Sequence, residues 1–330
     1  MKKIIISFFV LAAVAATALF FAVTNEEKCD FFAMDTLISV KVEGLEAKSC
    51  SEELQKRINS LDGEMLSRFS ADSQLAEINS QPQSKPDARL LGYLEKLLEV
   101  CRLSGGKYDI TLGSVSDLWS FTDSPRVPAE NELAAALSHT GYEKTEIDGD
   151  TFIRTDTEAV VDLGSAGKGI ALDEAREILD GKNVRSAVVS VGGSILLYGK
   201  GSFTVGVRDP WGDAGRSVLT LKLSQGCVST SGSYERQFES SGKSYHHILD
   251  PDTGMPAENG LVSVTVISDS GLLSDALSTA CFVLGIEDGS ALAKKLGCEA
   301  IFITESKKII CTDGVRDKIT VLEEEYSFEN

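Results

Sequence analysis

Asp275, Ser278 and Thr279 stand at i, i+3 and i+4 within residues 271–285. Leu273, Leu277, Ala280 and Leu284 recur in that stretch at helical spacing, which predicts a helix. Helical geometry then brings one carboxylate and two hydroxyls to a single face. Burying three such oxygens on an otherwise apolar helix is unfavourable unless they find partners. A hard cation such as Mg2+ takes oxygens of this kind; a polar seam or a cap would satisfy them as well. The run Gly164-Ser165-Ala166-Gly167-Lys168-Gly169 is a second candidate, set between an apolar strand at 159–163 and a helix at 170–179. A helix that starts from such a loop offers unbonded N–H groups to an anion, and Lys168 adds charge that favours a phosphate over a plain turn. The glycine spacing is neither that of a Walker loop nor that of a dinucleotide fingerprint.

The chain that must position these groups has 330 residues, 42% of them hydrophobic and 25% charged. That composition belongs to a globular protein. The formal net charge is −18, which argues against nucleic acid as a partner because no basic face is available. An anionic ligand therefore needs a local site. The seven cysteines show neither CxxC nor zinc-finger spacing. Cys281, Cys298 and Cys311 sit in apolar runs and read as small buried hydrophobes, so no disulfide framework is expected.

Two lysines followed by residues 4–23 without a charge read as an export segment with its N-terminus kept in the cytoplasm. Ala16-Thr17-Ala18 has a cleavage-site pattern, but cutting there would leave Leu19-Phe20-Phe21 at the new end. The run is long enough to span a bilayer. The expectation is a signal or membrane anchor over 1–29 and a body over 30–330 on the extracytoplasmic side of the cell membrane. A cleaved signal with a secreted or periplasmic body is the alternative.

Along the body, alternation predicts a strand over 30–42, and apolar spacing predicts helices over 50–66, 73–79, 90–104 and 130–138. Residues 107–111 read as extended, and 151–154 with 159–163 as a hairpin. Strands follow at 186–190, 194–198, 203–208, 218–223, 227–229 and 261–267. After the Asp275 helix come a helix at 291–296, a hairpin from 300–304 and 308–311, and a last strand at 318–322. Mixed runs of helices and hairpins predict an α+β fold with largely antiparallel sheets and packed helices.

Met34-Asp35-Thr36, the run from Gly106 to Thr111, the run from Asp162 to Gly169, Val191-Gly192-Gly193, Thr230-Ser231-Gly232-Ser233-Tyr234, the run from His247 to Pro251, Thr253-Gly254 and the run from Asp275 to Thr279 occur in this order. Together the chain resembles the ApbE-type flavin transferases, the FAD:protein FMN transferases, over about residues 31–285. The resemblance implies two T-fold-like subdomains and a reaction in which the FMN half of FAD passes to a threonine hydroxyl of another protein, releasing AMP. It implies Mg2+ as cofactor, held by Asp275 and Thr279 with Ser278 beside them and a further oxygen from Ser165. Met34, Lys107, Tyr108, Asp109, Asp162, Lys168 and Leu249 match positions around the FAD. His247 matches a histidine that the family needs for activity, and its ordinary pKa near working pH suits a proton acceptor. Family acceptors carry a Ser/Thr-Gly-Ala-Thr-like segment in membrane redox or extracellular electron-transfer proteins. An Mg-dependent FAD pyrophosphatase and a non-catalytic flavin carrier are the competing readings.

Overall fold

The computed structural model describes residues 25–213 and 215–329. The apolar stretch at 4–23, and with it the choice between anchor and cleaved signal, lies outside the described residues. Among the described residues no helix is long and apolar enough to cross a membrane. The chain opens with β1 (Glu26–Ala33), β2 (Thr36–Gly44) and α1 (Ala47–Ser60), which passes into a π-helical turn at Leu61–Leu66. Then come α2 (Gln74–Ser80), β3 (Gln83–Ser84), α3 (Ala88–Leu103), α4 (Gly113–Trp119), α5 (Glu130–Leu137), β4 (Thr145–Asp148), β5 (Thr151–Arg154) and α6 (Gly167–Asp180). The middle of the chain is β6 (Val184–Val191), β7 (Ser194–Gly199), β8 (Phe203–Arg208), β9 (Ser217–Leu223), β10 (Gly226–Gly232), β11 (Gln237–Ser240), β12 (Lys243–His246) and β13 (Leu261–Ser268). It closes with α7 (Gly271–Leu284), α8 (Ile286–Lys295), β14 (Glu299–Thr304), β15 (Lys308–Cys311), β16 (Ile319–Val321) and β17 (Ser327–Phe328).

The α+β expectation holds. Nine strands form one sheet in the order β1-β2-β6-β7-β10-β13-β14-β15-β17, antiparallel throughout except for the β15–β17 pair. Strand alternation sends side chains to opposite faces, and at β14 both faces are covered. On β14, Ala300 and Phe302 join the core beneath the helices, while Ile301 and Ile303 join a second core shared with β8 and β9. This double burial explains why 300–304 reads as an unbroken apolar run.

Several local expectations are corrected. The stretch 30–42 is two strands and not one, because Met34 and Asp35 turn the chain at φ 54° and 56°. Ala33 pairs with Thr36 across them, the geometry of a two-residue hairpin whose central residues both need positive φ. Met-Asp lacks the usual Asn-Gly signature, so in the sequence the alternation runs on through the turn. The helix expected to reach residue 66 gives way after Ser60 to the π-helical turn, where Asp62 accepts a hydrogen bond from the Met34 N–H at 2.8 Å. Residues 107–111 are turns, not an extended piece, because the Asp109 carboxylate accepts from the N–H groups of Thr111 (2.7 Å) and Tyr142 (2.9 Å). The hairpin partner of β5 is β4; Val160 makes only an isolated bridge to Leu112. The short α4 and the β11–β12 hairpin carry too few apolar positions to be read in advance.

Candidate active site

A cleft of about 1040 Å3 is lined by residues from the β1–β2 turn, the loop before α6, β10, the 247–249 segment and α7. Met34, Lys107, Tyr108, Asp109, Asp162, Ser165, Lys168, His247, Leu249, Asp275 and Thr279 all border it. Ser278 does not. It is fully buried, its hydroxyl donates to the Asp275 carbonyl at 2.8 Å, and it lies 2.7 Å from the Ser231 hydroxyl. One turn of helix thus sends Thr279 to the cleft edge and Ser278 into the protein, where Ser231 touches both (3.2 Å to Thr279).

Asp275 is held by three groups from two elements, α6 and β7. Its Oδ2 accepts from the Gly169 N–H at 2.9 Å, its Oδ1 accepts from the Ser194 hydroxyl at 3.0 Å, and Lys168 Nζ lies 3.7 Å from Oδ1. The carboxylate is 3% exposed. Close approach of α6 and α7 makes this possible. A Cβ on Gly169 would stand 2.2 Å from the Gly271 carbonyl oxygen and 2.7 Å from the Asp275 Cβ, so glycine is required there. The Ser270 hydroxyl caps α7, and Asp173 of α6 also accepts from the Gly271 and Leu272 N–H groups. Both helix starts are therefore locked to each other.

Among the described residues no group of three His, Cys, Asp or Glu side chains is placed to hold a metal. A cation in this cleft would rest on one carboxylate with hydroxyl and carbonyl oxygens. That set fits Mg2+, a hard ion that keeps several waters and takes one or two carboxylates. Each Asp275 oxygen uses one lone pair within the protein and retains another.

The Gly-rich loop is held by carboxylates rather than left open. Gly164 N–H donates to Asp162 Oδ1 at 2.7 Å and Gly169 N–H to Asp275, leaving Lys168 as the loop's contribution of positive charge. Asp162 also accepts from Arg68 Nε at 2.9 Å, and Arg68 reaches on to Asp117 at 2.6 Å. Ser165 donates to the Tyr108 hydroxyl at 3.0 Å; burial holds that phenol well above its ordinary pKa. Lys107 bridges Asp250 (2.9 Å) and Asp252 (2.8 Å). Burial raises the Asp109 pKa, and its hydrogen bonds serve the turn. Met34 stands 3.3 Å from where a Cβ on Gly167 would lie. Leu249 packs with Val115, Trp119 and Leu133 beneath the cleft wall.

His247 differs most from expectation. Burial, helped by the Lys168 charge, pushes its pKa down to about 4, not near working pH. Its Nδ1 lies 3.0 Å from the Glu235 carbonyl oxygen. A carbonyl only accepts, so Nδ1 carries the hydrogen and Nε2 keeps a lone pair. The imidazole is neutral at pH 7 and its Nε2 is open to a proton, as a weaker base than an ordinary histidine. Glu235 borders the cleft as well, and burial raises its pKa.

Sequence reasoning missed Arg68, Ser194, Ser231 and Glu235 as cleft or support residues. Ser231 lies within the Thr230–Tyr234 motif without a role assigned to it, and Glu235 directly follows that motif. Arg68 carries no local signal, and Ser194 only its place after Val191-Gly192-Gly193, because their partners lie 94 and 81 residues away.

The pattern of the ApbE family matches residues 34–302. The FAD:protein FMN transferase of Treponema pallidum is 33% identical over 289 residues, covering 80% of each chain. That of Vibrio cholerae is 32% identical over 259 residues, covering 76% of this chain and 77% of the relative. In three dimensions, the ApbE protein of Thermotoga maritima superposes with a TM-score of 0.82 at 29% identity, covering 89% of this chain and 99% of its own. The apo flavinyl transferase ApbE of Pseudomonas stutzeri gives 0.75 at 28% identity, covering 87% and 94%. The chain belongs to the ApbE family and, like these relatives, is an enzyme.

Proposed function

We propose that the chain transfers the FMN moiety of FAD to a threonine hydroxyl of an acceptor protein, releasing AMP. The observation that carries this reading is a neutral, cleft-lining His247 in the same cavity as the buried Asp275 carboxylate and Lys168. FAD is bound along the cleft, with Lys168 supplying positive charge for its diphosphate in a protein of net charge −18 and Lys107, paired with Asp250 and Asp252, in its wall. Met34, Tyr108, Asp109, Asp162 and Leu249 form its walls. Mg2+ would be held by Asp275 and Thr279, with an oxygen of Ser165, and would neutralise charge on the phosphate oxygens. Ser278 supports Thr279 through Ser231 instead of facing the ion.

The acceptor hydroxyl oxygen attacks the phosphorus of the FMN half. The new P–O bond forms as the bridging P–O bond breaks, and the electron pair leaves with AMP. His247 Nε2 takes the hydroxyl proton, while Glu235 holds the ring through its backbone carbonyl. Phosphoryl transfers of this kind depend mainly on positioning and charge, which a rigid Asp275 and a preset histidine tautomer supply.

The same reading puts the body outside the cytoplasm, tethered by residues 1–29, with membrane redox or electron-transfer proteins as acceptors. It also carries a division of the body into two subdomains. The test is incubation of the full chain with FAD, Mg2+ and a soluble domain ending in Ser-Gly-Ala-Thr. A mass gain of one FMN on that domain supports transfer. Free FMN with an unlabelled domain would leave a pyrophosphatase, and neither product would leave a carrier.

A further inference from the structure

β1 is an edge of the nine-stranded sheet, and its apolar end leads directly into the Met34-Asp35 turn that borders the cleft. Glycine 44 donates its N–H to the Asn25 carbonyl, so residues 25 and 44 form a hydrogen-bonded pair. Antiparallel pairs alternate. With the register of β1 on β2, the odd residues of β1 bond to β2, and the N–H and C=O groups of Glu26, Lys28, Asp30 and Phe32 point to the open edge. Proteins guard such edges with charge. Glu26, Lys28 and Asp30 do so at the start of β1, and among the described residues nothing comparable guards its end. There Phe32 is 71% exposed and Leu37, its cross-strand partner, 60% exposed. Directly opposed residues share a sheet face, so the two form one apolar patch beside the cleft. The opposite face of this hairpin is different: Ile38, Val40 and Val42 are buried in the core.

We propose that this corner of the hairpin is the docking surface for the acceptor protein. An extended segment of the acceptor pairs with the open edge of β1, and its apolar side chains cover Phe32 and Leu37. The strand direction then leads its hydroxyl past Ala33 toward the cleft. Strand addition at an exposed edge draws affinity from main-chain hydrogen bonds and specificity from alternate side chains. The inference rests on the transferase reading, since only a reaction with a protein substrate brings a second polypeptide to this mouth.

Two variants test it. Phe32→Ser with Leu37→Ser removes the patch, and Asp30→Pro removes an outward N–H without touching a bond to β2. Steady-state FMN transfer to the Ser-Gly-Ala-Thr domain is measured together with FAD affinity and the thermal midpoint. In each variant the acceptor KM should rise about tenfold or more, the loss typical of a central interface contact, with FAD affinity and folding held. If the wild-type chain labels the acceptor and both variants match its KM, the docking surface is wrong. It is equally wrong if the variants instead lose binding to anionic lipid vesicles or self-association while the acceptor KM stays put. A wild-type chain that yields only free FMN removes the transferase reading itself, and this surface with it.

Discussion

Asp275 gathers a helix N-terminus, a serine and a lysine around one carboxylate, so its charge and its shape can be tested apart. Asp275→Asn keeps the size and most of the hydrogen bonding but removes the charge. Transfer should fall by at least about a hundredfold, in the range for loss of an electrostatic group at a phosphoryl site, while the thermal midpoint is held or rises because a buried charge is gone. Retained activity in that variant would sink the metal-centred reading. At His247 the prediction concerns pH. The free enzyme carries a neutral imidazole down to about pH 4, so the acid limb of kcat/KM should lie well below the ordinary histidine value of about 6.5. His247→Gln should lower transfer by about 10²–10⁴-fold and abolish that limb. An acid limb that persists unchanged in His247→Gln would show that His247 is not the proton acceptor.

At the scale of elements, the site is a junction of two helix starts. Gly271 meets α6 as tightly as Gly169 meets α7: an added Cβ would lie 2.3 Å from the Gly169 carbonyl oxygen. Backbone cannot give way as a side-chain tip can, so Gly271→Ala should destabilise the protein by about 1–3 kcal/mol, the usual cost of overpacking. Because Asp275 lies one turn along α7, the same variant should lose activity out of proportion to its loss of stability. Urea titration beside a transfer assay reads both; wild-type activity in a folded Gly271→Ala protein would mean that the helix junction does not place Asp275. The β1–β2 turn bears on the same site from the other side, with Asp62 pinning Met34.

The whole molecule responds to pH through buried groups. His247 has a folded pKa of about 4 against about 6.5 unfolded. Between those values the unfolded chain binds the extra proton, so stability is full above 6.5 and is lost as pH falls toward 4. Asp109 and Glu235, whose pKa values burial raises, act in the opposite sense: their contribution is present at low pH and is lost as pH rises through their folded values. Comparing urea midpoints at pH 5 and pH 7 isolates the histidine. The wild type should lose more stability at pH 5 than His247→Gln does, and equal losses would contradict the lowered histidine pKa. A net charge of −18 also predicts that salt raises the thermal midpoint at pH 7 by screening self-repulsion.

Read by itself, the chain determined what local periodicity and ordered motifs can carry. The helical spacing around Asp275 predicted α7, and the unbroken apolar runs predicted strands such as β14. The motif order also pointed to most of the cleft lining, including Lys107, Lys168 and His247, because residue types at fixed spacing survive in one dimension. Only the tertiary structure decided the rest. It turned Ser278 away from the cleft, since its neighbour Ser231 comes from β10, 47 residues away. It closed the Gly169 N–H on Asp275, and it covered His247 enough to move its pKa. It also folded 30–42 into a hairpin, a turn that no Gly or Asn announces. Long-range hydrogen-bond partners, burial and sheet order are properties of groups brought together by the fold, and a local stretch of sequence holds only one member of each such pair.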